Sequence, residues 1–117
     1  MMTGRPVHSP QIRLGTIDVT GKLPVEVVRR VVRQHFTMAR YCYETGLRNN
    51  PTLQGRVTTK FVIGQDGAVV TAQDGGSDMP DANVVQCVVR LFKTFVFPKP
   101  EAGVVMVSFP LIFSPGD

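Results

Sequence analysis

Few side chains in this sequence could do chemistry, and their spacing limits what that chemistry can be. The histidines are His8 and His35, and the cysteines are Cys42 and Cys87. His35 and Cys42 come nearest to a base and a nucleophile. On one helix their spacing puts them two turns apart, about 10 Å along the axis, too far for direct proton transfer. Two cysteines without a C-x-x-C motif and two scattered histidines make no metal site. Asp66, Asp74 and Asp78 stand among glycines and read as turn and cap residues. Gly64-Gln65-Asp66-Gly67 is a hairpin turn with no phosphate-loop pattern around it. No catalytic residue, metal ligand, cofactor site or small-molecule substrate is therefore expected, and the chain does not read as an enzyme.

The cysteines leave two readings open. Each falls on the apolar side of a predicted helix. They could be separate buried thiols, which are common. They could instead form one disulfide stapling the helices, stabilising by about 4 kcal/mol on the chain-entropy account. A disulfide implies an oxidising compartment such as the periplasm. The opening residues MMTGRPVHSP lack the apolar core of a signal peptide. The disulfide reading therefore takes the sequence as a fragment of a longer exported or membrane-anchored protein.

Arginines form the other chemical feature. Arg29, Arg33 and Arg40, with Arg30 and Arg48, crowd one side of a predicted helix. They are candidate contacts to an acidic partner or to nucleic acid. The competing reading is a solvated helix face, partly neutralised by Glu26 and Glu44 at helical spacing. No exposed aromatics interleave with them as a base-stacking platform, so nucleic acid is not the expected partner. The net charge of +4 and pI near 9.5 permit an acidic partner without demanding one.

These residues must be positioned by a single domain, since 117 residues suffice for one core. No run of about 18 apolar residues is present to span a membrane. Residues 1–10 read as a flexible tail or linker, and 11–117 as the domain. Residues 11–20 carry a weak strand signal whose phase breaks at Gly15 and Thr16, as at a bulge or bend. Helical periodicity then runs from Pro24 to Asn49, through Val28, Val31, Val32, Phe36, Ala39, Cys42, Tyr43 and Leu47. Pro24 suits a first turn, and Pro51 ends the helix. Arg56 to Ile63 alternates as a strand, the Asp-Gly turn follows, and Ala68 to Gln73 returns. A second helix is expected from about Asp81 to Phe95, capped by Asp78 or Asp81. Gly103 to Phe113 alternates again. Pro110 cannot donate a ladder bond, which predicts an edge strand or a bulge there.

The strings LPVEVVRRVVRQHFTMARYCYETGLRNNPTLQGRVTTKFVIGQDGAVV and VVQCVVRLFKTFVFPKPEAGVVMVSFPLIF suggest a family. With YCYE around Cys42, Leu53-x-Gly55, Cys87 and the aromatic-x-Phe-Pro at Phe95 to Pro98, residues 19–114 resemble the C-terminal domain of the AgmX/PglI family of gliding-motility proteins. That domain is similar to the C-terminal domain of TonB. Phe95 stands where the family often has Trp. The resemblance implies a bridge between Cys42 and Cys87. It also implies a periplasmic domain of an inner-membrane-anchored protein, linking an energised motor complex to partners further out.

Together these readings predict an α+β, two-layer TonB-like domain: an antiparallel sheet of three or four strands with two helices on one face. The expected function is protein–protein interaction in an envelope-spanning motility or energy-transduction complex. The alternative is a basic module holding an acidic partner or nucleic acid through the first helix. TonB-type domains pair an edge strand with partner segments. By that resemblance Val104, Val105, Met106, Val107, Ser108 and Phe109 are expected to offer a free edge to an extended peptide. The competing expectation is that Ile12 to Val19 pairs with that edge, within the chain or across a homodimer.

Overall fold

In the computed structural model, which describes residues 10–116, alternating side chains build a five-stranded antiparallel sheet. Residues 1–9 and 117, including His8 and nearly all of the expected tail, lie outside the described residues. The strands are β1 (Gln11–Leu14), β2 (Asp18–Thr20), β3 (Gly55–Ile63), β4 (Val69–Asp74) and β5 (Val105–Ser114). The helices are α1 (Val25–Arg33), α2 (Phe36–Leu47) and α3 (Ala82–Lys93). The strand order is β1-β5-β3-β4, with β2 also against β5.

Period-two alternation sorts the side chains of β3 and β5 onto two faces. The register pairs Val57 with Leu111, Thr59 with Phe109, Phe61 with Val107 and Ile63 with Val105. All eight are buried under the helices. On the other face Lys60 pairs with Ser108 and Val62 with Met106. That face is open to solvent around these pairs, with Met106 55% exposed, whereas the next pair along it, Thr58 and Pro110, is buried. The α+β, two-layer architecture is therefore present, with more pieces than the three or four strands and two helices expected.

The extra helix comes from a break in the long helical stretch. In a regular helix the Val31 carbonyl would accept the His35 backbone N–H. It accepts His35 Nδ1 instead, at 2.9 Å. The His35 N–H turns to the Val32 carbonyl, also at 2.9 Å, tightening the last turn. A side chain inserted into the ladder is a standard cause of a kink. The His35 ring stacks on Phe95 with centroids 4.3 Å apart, which fixes the break against the core.

α3 begins as the sequence predicts. The Asp81 carboxylate accepts the N–H groups of Asn83 and Val84, at 2.9 and 3.3 Å. Asp78, the other cap candidate, instead accepts the Arg56 N–H at 2.5 Å, tying the loop before α3 to β3. Cys42 and Cys87 form a disulfide between α2 and α3, with Cα atoms 5.7 Å apart. One turn on, a side chain at Gly46 would lie 2.7 Å from Leu53 and Val84, so the helices meet there only over glycine. Phe92 sits fully buried among Phe95, Phe61 and Phe109, at centroid distances of 4.8, 5.2 and 5.8 Å. Truncating such a residue costs about 3–5 kcal/mol. Tyr43 packs on Phe113 and donates its hydroxyl to the Leu53 carbonyl. Burial raises its ionisation above the ordinary phenol value, so it stays a donor.

Candidate functional site

The expected free edge on the final strand does not exist. β1 and β2 lie along the side of β5 away from β3. Asp18, Val19 and Thr20 pair with Ser108, Val107 and Met106, and Gln11 to Leu14 pair with Ser114 to Leu111. Met106, Val107 and Ser108 therefore have strands on both sides. Val105, Val107 and Phe109 point into the core, and Val104 precedes the strand. The pairing of Ile12 to Val19 with this edge is the arrangement found, within one chain.

Pro110 misled the edge assignment for a physical reason. Its carbonyl accepts the Gly15 N–H at 3.1 Å. The amide positions of one residue point to one side of an antiparallel strand, so the missing N–H of Pro110 also faces Gly15. There the neighbouring strand is interrupted between β1 and β2. A Cβ on Gly15 would stand 2.7 Å from the Pro110 ring, so only glycine fits the crossing. An interior strand tolerates proline where its neighbour has a gap.

The open edge is on β4. The bridge of Ala68 to Val96 covers only its approach, helped by a 2.9 Å bond from the Phe97 N–H to the Gly67 carbonyl. Gly67 has φ +92°, and a Cβ there would be 2.1 Å from the Phe97 carbonyl oxygen. Further along β4 the antiparallel partners would be Phe95 and Thr94, whose N–H groups are taken by the Phe92 and Leu91 carbonyls at the end of α3. Beyond the bridge, no strand among the described residues pairs with the outer side of β4. Val70 and Val96 flank this edge, 63% and 69% exposed. A shallow groove of about 400 Å³ crosses the open sheet face from Asp18 on β2, past Met106 and Val62, to Thr71 and Gln73 on β4. After β4 the chain turns sharply. The Asp74 carboxylate accepts the Ser77 hydroxyl at 2.7 Å and the N–H groups of Gly76 and Ser77 at 3.1 and 3.0 Å. The Ser77 hydroxyl bond, ahead of those backbone bonds, holds its ionisation below the ordinary aspartate range despite partial desolvation.

The arginine candidates divide. Arg29 and Arg33 line one concavity of about 330 Å³ on α1, together with Glu26, Arg30 and Gln34. Arg29 donates to the Glu26 carboxylate. That bond above all holds Glu26 below the ordinary carboxylate range, against desolvation and with help from the charges of Arg29, Arg33 and Arg30. Arg40 is on α2, outside this concavity, and its buried Nε has no hydrogen-bond partner among the described residues. The Cys42 sulfur is bonded to Cys87, so it is no nucleophile for His35.

Sequence reasoning missed the β4 edge although the strand itself was legible. The usable signal was the end of the expected second helix at Phe95, which leaves no extended residues ahead of Val96 to pair further along β4. No helix among the described residues is long and apolar enough to cross a membrane. No family model matches the chain, and no curated protein or solved structure matches it.

Proposed function

We propose that this domain is a protein–protein interaction module that binds an extended partner segment by strand addition on the outer edge of β4. The observation that carries this reading is the edge from Val70 to Asp74, unpaired among the described residues and flanked by exposed apolar side chains. Unpaired edges are liabilities that proteins normally cover, twist or charge. Here the edge carries neither a proline nor a lysine, and its one acidic residue is at the end. An added strand gains main-chain hydrogen bonds, and its alternate side chains reach Val70 and Val96 on the open face.

The resemblance to the AgmX/PglI family supports placing this module at the periplasmic end of an inner-membrane motor complex, coupling it to outer components of the envelope. The disulfide between Cys42 and Cys87 is consistent with an oxidising compartment. Substituting Val70→Asp and Val96→Asp tests the binding mode. Both side chains are exposed, so folding stability should change by no more than about 0.5 kcal/mol. Capture of a partner from envelope extract should be lost. Undiminished capture by the double variant would place the contact elsewhere.

A further inference from the structure

The arginines of α1 are not absorbed by strand addition on β4. Arg30 and Arg33 stand in the last turn, where cations complement the helix dipole. That accounts for two of them. It does not account for Arg29, which is four residues from Arg33 and forms a like-charge pair with it. Three guanidinium groups share the concavity with one carboxylate, Glu26. Among the described residues, neither Arg30 nor Arg33 lies within ion-pair distance of an acidic group. The excess positive charge is thus local to this face of α1.

We propose that the α1 concavity is a second docking site, which takes an acidic segment of a partner protein between Arg29, Arg30 and Arg33. Glu26 shows that a carboxylate seats there, since Arg29 already holds one. Guanidinium forks match carboxylates in bidentate geometry, and Arg30 and Arg33 remain to supply them. Charge complementarity selects the occupant class. The apolar side chains of α1 are turned inward: Val28, Val31 and Val32 are buried, and Val25 and Val27 half-buried. No apolar side chain is left to enter a lipid surface. α1 carries no aromatic residue on which a nucleobase could stack. An acidic peptide needs neither.

The test uses a fluorescein-labelled Glu-rich peptide, with a Gln-rich peptide of equal length as control, read by anisotropy over a salt series. The Glu-rich peptide should bind, weakening as salt rises, and the Gln-rich peptide should not. Arg30→Glu with Arg33→Glu should weaken binding by about tenfold or more, the equivalent of about 1.4 kcal/mol. Arg30→Gln with Arg33→Gln should fall between, which separates lost attraction from new repulsion. Arg90→Glu with Lys93→Glu changes net charge equally from exposed positions in the last turn of α3 and should leave affinity near wild type. Equal loss in that control pair would show diffuse attraction and overturn the site. So would absence of peptide binding by the wild type. Tighter binding of single-stranded DNA or of anionic vesicles, with the same arginine dependence, would overturn the peptide assignment. None of these outcomes touches β4, so the two proposals fail separately.

Discussion

On one side of the sheet, β5 is a ten-residue strand whose outer edge is covered by two short strands with a gap between them. On the other side, β4 is a six-residue strand whose outer edge, among the described residues, is covered only at its approach, by the bridge to Val96. The covered strand contains a proline and the open strand does not, the reverse of the usual expectation. Gly15 and the gap between β1 and β2 absorb the defect that Pro110 introduces. On β4 the opening comes from outside the strand: its antiparallel neighbours beyond the bridge would be Phe95 and Thr94, and their N–H groups instead close the end of α3 on the Phe92 and Leu91 carbonyls. The lesson is that a proline within a strand marks a break in its hydrogen-bonding neighbourhood, and the break can lie in the partner strand.

The largest expected effect comes from removing the cover. Deleting residues 1–20 strips away Ile12, Leu14, Ile17 and Val19, each partly buried against the core. At about 1 kcal/mol for each half-buried side chain, the loss is about 4 kcal/mol. It also bares the whole of β5, so the product should self-associate, as sedimentation would show. A monomer with wild-type stability in urea would mean that β1 and β2 do not close this edge.

The next effect is similar in energy but leaves both edges as they are. The disulfide joins α2, which lies near β1, to α3, which lies over β3 and β4. Replacing Cys42 and Cys87 with alanine should cost up to about 4 kcal/mol for a separation of 45 residues. The variant should remain a monomer, and amide exchange should rise on both sides of the sheet together. A rise confined to one side would mean that the bond braces that side alone.

How much was legible follows from where the physics was local. The hairpin of β3 and β4, the Asp81 cap and the alternation of β5 are short-range patterns, and they read directly. The disulfide stood as one of two residue-level readings and as an implication of the family resemblance. The break at His35 was hidden because no propensity marks a histidine that bonds the carbonyl four residues back and stacks on Phe95, 60 positions later. The edges were hidden because pairing order is non-local, although Gly15 and Pro110 together held the clue. Arg40 looked equivalent to Arg29 and Arg33 only on an unbroken helix, and the break separates them.

The smallest expected effect concerns where the open edge ends. Asp74 closes β4 with its bonds to Ser77 and Gly76. Its ionisation is depressed, so its contribution is present above the ordinary aspartate value of 3.8 and is lost as pH falls through the lower folded value. Asp74→Asn should cost a few tenths of a kcal/mol at neutral pH. The difference from wild type should shrink in acid unfolding below that value. A difference that persists unchanged in acid would mean the carboxylate charge plays no part in the turn.

The most direct test of the central claim places one photo-crosslinking residue at a time on the two edges, at Thr71 on β4 and at Thr20 on β2, and irradiates the domain in envelope extract. The account predicts a partner adduct at Thr71, recovered as an extended peptide, and none at Thr20. Adducts at Thr20 alone, or equally at both, would contradict it.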